Sequence, residues 1–293
     1  MISTRNLKRR LPILPSFLML ALFMAGPIVW ALYISLTNTS LTGTAAQDSQ
    51  FIGLDNYLTM LGDPDFPNAV WLTVVFVVGS AIIGQNTLGL FLAIGFRSAS
   101  KAIKKTTSAL VMAAWMLPEI VVAFAAYVFF NTDGTLNQIL LSLGVDPIAW
   151  LFEAPMLAIV LANIWRGTAF SLLVYMAALD DVPEEITEAA RIDGASSSQH
   201  LFLVTLPIIK NSINTNLMLI TLQTLSVFTL VYTMTRGGPS GKSTTLPVFA
   251  YDQAFRVADI GYGAAISVVM ILIGVIFSVI YLRLLRSEGD KNE

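Results

Sequence analysis

Apolar residues in this chain run in long blocks separated by polar stretches; they do not alternate with polar ones. A helix needs about 20 apolar residues to cross the hydrocarbon of a bilayer. Six blocks reach that length: residues 13–36, 70–94, 107–130, 155–179, 204–232 and 260–284. They predict an all-α membrane protein with six transmembrane helices spread over 13–284, a short N-terminal segment 1–12 and a tail 285–293. The first block follows RNLKRR, as a signal peptide would. Its apolar run is too long for such a leader and contains Pro27, so it reads as a retained span.

The composition agrees with the pattern. Of 293 residues, 55% are hydrophobic and 12% charged, with a mean hydropathy of +0.72. Soluble domains carry about a quarter charged residues. A net charge of −2 implies no nucleic-acid partner. With no Cys and one His, His200, the chain lacks the residues for a thiolate metal site, a His cluster or a Ser/His/Asp triad.

Lys and Arg fix the orientation, because they gather on the cytoplasmic side. Arg5, Lys8, Arg9 and Arg10 precede the first block. Arg97, Lys101, Lys104 and Lys105 follow the second, Arg191 and Lys210 border the loop after the fourth, and Arg283, Arg286 and Lys291 end the chain. The opposite loops hold only Arg236, Lys242 and Arg256, beside acids such as Asp48, Asp55, Asp63 and Asp65. Both termini and the loop 180–203 are therefore expected in the cytoplasm.

That loop is unlike a plain linker. In EEITEAARIDGASSSQHLFLVTLP (184–207), Pro183 and the acids Glu184, Glu185 and Glu188 favour a helix start. Gly194 can end the helix in a left-handed conformation. Ser196 to Ser198 offer caps for a second short helix through Leu201, Phe202 and Leu203. The expected product is a compact knob with small residues and an apolar patch, suited to docking in a groove of another protein.

Glu188-Ala189-Ala190, then Gly194, then Val204 and Leu206-Pro207 resemble the EAA loop of permease subunits of binding-protein-dependent ABC importers. The family has Ile where this chain has Val204. FIGLDNYLTML (51–61), TLNQILLSLG (135–144), TRGGPSGKSTTL (235–246) and YDQAF (251–255) resemble its carbohydrate branch, the maltose and trehalose type. The resemblance covers nearly the whole chain. It implies a type I importer transmembrane domain in a bacterial-type cell membrane. It also implies a second permease subunit, two ATPase subunits and an extracellular or periplasmic sugar-binding protein. Glu188, Ala189, Ala190, Asp193, Gly194 and Ala195 would couple to the ATPase, and Gly237, Gly238 and Pro239 would meet the binding protein. No cofactor is expected in this chain, with ATP and Mg2+ held by the partner ATPase.

GGPSGKST imitates a phosphate-binding loop, but Arg236 stands where that motif needs its first glycine, and the segment lies on the side without ATP. Two ionisable residues fall inside spans, Glu119 after Pro118 and Arg166 in NIWRGTAF. Such groups usually face a bundle interior. They could pair, as a structural clamp or as part of a path. Trp165 could stack on a sugar face or simply pack. The fifth span is polar, with Asn211, Ser212, Asn214, Thr215, Asn216, Thr221, Gln223, Thr224, Ser226 and Thr229. Gln85, Asn86 and Thr87 form a similar cluster in the second. Lipid satisfies none of these groups. They read as a hydrated path for sugar hydroxyls (Glu119, Trp165, Arg166, Asn216, Gln223 and Ser226 foremost), with interhelical bonding as the simpler account of any one of them. A permease for glycerol phosphate or a polyol stays open, since Arg166 would suit an anion. An ion-coupled secondary transporter would carry more buried acids and an internal repeat. An intramembrane enzyme would need a nucleophile and base or a metal cluster.

Overall fold

The computed structural model describes residues 14–97 and 99–289, without the side chains of residues 14, 97, 114 and 284–289. The basic residues Arg5, Lys8, Arg9 and Arg10, the expected segment 1–12 and the last residues of the tail lie outside the described part. Among the described residues secondary structure is helical, apart from two isolated bridges, Thr37 with Phe51 and Ser40 with Asp259.

Among the described residues four helices are long and apolar enough to cross a membrane: Pro15–Ile34, Asp65–Phe96, Pro155–Asp180 and Ile260–Arg283. They match the first, second, fourth and sixth expected spans. The fifth is a bent pair, Lys210–Leu225 and Thr229–Thr235, with 47° between the two halves. The stretch expected as the third span, 107–130, is divided. Lys101–Trp115 ends before Pro118, whose extended backbone opens a new helix, Glu119–Phe130. Proline cannot donate the bond that an unbroken helix would need there.

The chain separates into two compact units. The first comprises residues up to Phe66 together with Phe249–Leu272. Its Pro15–Ile34 helix has no buried residue. Side chains hold the polar loop that comes after this helix. Asn56 Nδ2 donates to the carbonyls of Ser35 and Thr37 at 2.8 and 2.9 Å, Ser35 Oγ meets Tyr57 OH at 2.7 Å, and Tyr262 OH donates to Asp63 at 2.8 Å.

The second unit, Pro67–Val248 with the chain beyond Ile273, is organised around the Pro155–Asp180 helix. Phe76, Val122, Ile159, Leu230, Val231 and Met234 form one apolar core, and Leu172, Tyr175, Leu179 and Ile209 belong to another. Two glycines let its helices approach closely. A methyl group on Gly89 would stand 2.5 Å from Ser171 Cβ, and one on Gly167 would overlap the Gln85 amide. The Asp65–Phe96 helix widens to a π-helix over Val77–Gln85, which includes Ser80 and Gln85.

Candidate functional site

The polar residues of the spans divide into two sets. One set is sealed between helices. Gln85 Nε2 donates to the Asn163 carbonyl at 3.0 Å, and Asn163 Nδ2 donates to Ser80 Oγ at 2.8 Å. Asn216 Nδ2 donates to Ser171 Oγ at 3.1 Å and to Tyr175 OH at 2.9 Å, and Tyr175 in turn donates to Asn86. Thr221 meets Tyr281 at 3.2 Å. Asn216 is 0% exposed. The structure therefore gives Asn216 the interhelical role, since a residue lining a path must be reachable from it. The second set is open. Asn211, Thr215, Gln223 and Ser226 are exposed at near-helical spacing along Lys210–Leu225 and its end.

Glu119 and Arg166 come together. Arg166 Nη2 lies 4.0 Å from Glu119 Oε2, with the two side chains 28% and 26% exposed. Glu119 Oε1 accepts the Leu230 N–H at 3.2 Å, in the first turn of Thr229–Thr235. The carboxylate thus ties three elements at the break of the fifth span, a position favoured for negative charge by the local N–H dipoles. Trp165 is 55% exposed and lines a cavity of about 590 Å3 with Phe129, Phe130, Leu136 and Leu161. Those neighbours are apolar, so the surroundings of Trp165 offer packing surface rather than partners for hydroxyls.

The loop after the fourth span folds as a helix, a turn and a second helix. Glu184–Ile192 starts directly after Pro183, which stands in extended backbone just outside the helix. Gly194 takes φ 77°, with its N–H bonded to Arg191 and that of Ala195 to Ala190. Ser196 caps the next helix in a reciprocal pair with Gln199, at 3.3 and 2.8 Å. Glu188, Ala189, Asp193 and Gly194 are exposed, whereas Ala190 and Ala195 are half-buried. Ile192 is 86% exposed, and Phe202 and Leu203 are open too.

On the other side of the expected membrane, residues 236–241 turn tightly. Arg236, Gly237, Ser240 and Gly241 all have positive φ. Ser243 Oγ donates to the Gly238 carbonyl at 2.8 Å, and Thr244 Oγ1 donates to that of Gly237 at 2.9 Å. Gly237 is buried, Gly238 and Pro239 are half-buried, and the groups shown to solvent are Arg236, Ser240 and Lys242. The expected docking residues thus shape the loop, and their neighbours form its surface. A second anchor escaped the sequence reading. Asn137, inside TLNQILLSLG, is fully buried and bonds Thr132 and Ile148 carbonyls at 2.8 Å each, Ile148 N–H at 3.1 Å and Trp150 Nε1 at 3.0 Å.

A broken span, a polar seam and a capped knob together are features expected of the transmembrane part of a transporter. The family described as "Binding-protein-dependent transport system inner membrane component" matches residues 85–288, and the chain belongs to it. It is accordingly a multi-pass inner membrane component. The trehalose/maltose transport system permease protein MalF of Thermococcus litoralis is 32% identical over 283 residues, 96% of this chain and 94% of that protein. The sulfoquinovosyl glycerol transport system permease protein SmoG of Agrobacterium fabrum is 32% identical, covering 94% of this chain and 89% of that one. The inner membrane ABC transporter permease protein YcjO of Escherichia coli is 33% identical, with 95% and 94% covered. The fold matches a chain of a bacterial ABC transporter involved in the import of the acidic polysaccharide alginate, with a TM-score of 0.81 at 20% identity, covering 97% of this chain and 98% of that chain.

Proposed function

We propose that this chain is the permease subunit of an ATP-driven sugar importer and forms half of its translocation path. It crosses the membrane six times with both termini in the cytoplasm, the divided stretch 101–130 completing the count. A second permease subunit, two ATPase subunits and an external sugar-binding protein complete the transporter. ATP and Mg2+ are held and hydrolysed in the ATPase subunits. The names of MalF and SmoG, both saccharide systems, support the substrate class.

The observation that carries the reading is the knob. The Lys and Arg of the neighbouring segments favour the cytoplasm for it, and it exposes Ile192, Phe202 and Leu203. Exposed apolar patches of this kind mark protein contacts. Glu188, Ala189, Ala190, Asp193, Gly194 and Ala195 form the part seated in the ATPase. When the ATPase dimer closes on ATP, the knob moves as a rigid body and the spans change from inward-open to outward-open. The open polar stripe, Glu119 and Arg166 line the path, with Asn216 supporting it from behind and Trp165 at its apolar margin. The loop 236–242 receives the binding protein.

Gentle detergent purification of the tagged chain, followed by mass spectrometry, tests the assembly. An ATPase, a second multi-span chain and a binding protein should accompany it. A chain that stays alone after mild crosslinking removes the coupling role and returns the ion-coupled transporter to first place.

A further inference from the structure

We propose that loop 236–242 receives the external binding protein through an acidic patch on that partner, with Arg236 and Lys242 as the two cations that meet its carboxylates. The inference rests on the importer reading above and gives its docking partner a surface chemistry.

The outer loops are otherwise acidic. Asp48, Asp55, Asp65, Asp133, Asp146 and Glu153 are all exposed. The cations of these loops are Arg236, Lys242 and Arg256. Arg256 is engaged by Asp252 at 3.3 Å. Arg236 and Lys242 are exposed and form no ion pair among the described residues. No Asp or Glu occurs between Asp193 and Asp252. The unneutralised positive charge of the outer loops is therefore gathered in one short turn.

That turn is braced. Thr235 Oγ1 meets Ser243 Oγ at 2.7 Å. The Ser243 N–H donates to the Gly237 carbonyl at 3.1 Å, and the Lys242 N–H donates to that of Pro239 at 3.0 Å. Asn68 Nδ2, on the Asp65–Phe96 helix, donates to the Gly241 carbonyl at 3.2 Å and fastens the turn to a neighbouring span. A surface already held in shape loses little freedom when a partner binds. Arg236 itself takes φ 52°, a conformation in which glycine has the advantage. Its charge suits the C-terminal end of Thr229–Thr235. Lys242 has no such use, because the next helix, Leu246–Tyr251, offers only its N-terminal end. Two fixed cations within an acidic surround repel a basic partner and steer an acidic one into register. Thr229–Thr235 runs directly into Arg236, so a partner seated here bears on the outer half of the broken fifth span.

The test times the association of the copurified binding protein with the permease–ATPase complex. The complex is held in discs of phosphatidylcholine, with or without phosphatidylglycerol, at about 0.05 M and about 0.5 M salt. The rate should fall at least about tenfold as salt rises. Arg236→Gly with Lys242→Gln should lower the low-salt rate by about tenfold and remove most of the salt dependence in both kinds of disc. Glycine suits the left-handed backbone at 236, so this variant loses charge without gaining strain. Arg236→Lys with Lys242→Arg keeps both charges and should associate within about threefold of the original rate. A carbodiimide, which condenses an amine with a carboxylate touching it, should join Lys242 to an Asp or Glu of the binding protein. An unchanged rate and salt dependence in the uncharged variant overturns the proposal and leaves the importer reading standing. Equal losses in the charge-keeping variant do the same, since shape and not charge would then matter. An effect confined to phosphatidylglycerol discs assigns the cations to lipid headgroups and also overturns it. If no binding protein joins the complex, the importer reading falls and takes this proposal with it.

Discussion

Asn56 and Asn137 show how single residues turn a familiar-looking stretch into structure. Both lie in short helices, Asp55–Gly62 and Thr135–Ser142, within stretches whose resemblance to carbohydrate permeases was visible in the sequence, and both are buried clamps on backbone groups. Their roles were not legible, because an Asn near a helix start reads equally well as a local cap or turn former. Asn137→Ala leaves the Ile148 N–H and the Trp150 indole N–H without their acceptor. It should cost about 2–3 kcal/mol, within the range for unsatisfied buried donors. Faster proteolysis within 131–150 in detergent is the readout, and cleavage at the wild-type rate would remove the clamp role. Gly167 is a second case, since an added methyl overlaps the Gln85 amide that bonds Asn163. Gly167→Ala should lower stability by about 1–3 kcal/mol through overpacking. Gly62→Ala, where the added methyl meets nothing within 4 Å, should stay within about 0.5 kcal/mol. Thermal unfolding of the two purified variants separates them.

At the scale of elements, the knob was the most legible part of the chain. Its cap, glycine turn and second cap are local signals, and local signals survive without tertiary knowledge. Gly194 has φ 77°, which costs about 1–2 kcal/mol for a residue with a side chain. Gly194→Asp adds a charge to the seat as well, so sugar uptake should fall by about tenfold or more while membrane levels hold. Ser196→Ala removes only the reciprocal cap and should cost about 1 kcal/mol. Vesicle uptake set against ATP hydrolysis is the decisive comparison, and full uptake with Gly194→Asp would count against coupling through this turn. The broken spans were less legible. A proline, Pro118, stands at the division of the third expected span, but the 47° bend at 226–228 has no proline. Beside it Glu119 accepts the Leu230 N–H across 111 residues, a contact that local sequence does not encode.

For the whole molecule, block length was enough to give the membrane class, since it follows from solvation alone, and the Lys and Arg distribution supplies the proposed orientation. Which polar residues face the path could not follow from those blocks, because hydropathy ignores the direction of a side chain. Asn216 and Thr215 are neighbours in sequence, yet one is sealed between helices and the other is open. This difference gives a direct test of topology and path, because the chain contains no Cys and single cysteines can be introduced without background. In the assembled transporter, Thr215→Cys, Gln223→Cys and Ser226→Cys should react with a water-soluble thiol reagent about tenfold faster than Asn216→Cys or Thr224→Cys, because a buried thiol must first be exposed by local opening. In intact cells a membrane-impermeant reagent should label Ser240→Cys from outside, and Glu185→Cys only after the membrane is opened. Equal labelling of 215 and 216 would mean that the stripe is covered by lipid or by the second permease, and the path would then have to lie on another face. Labelling of Glu185→Cys from outside would invert the orientation and remove the knob from any cytoplasmic ATPase.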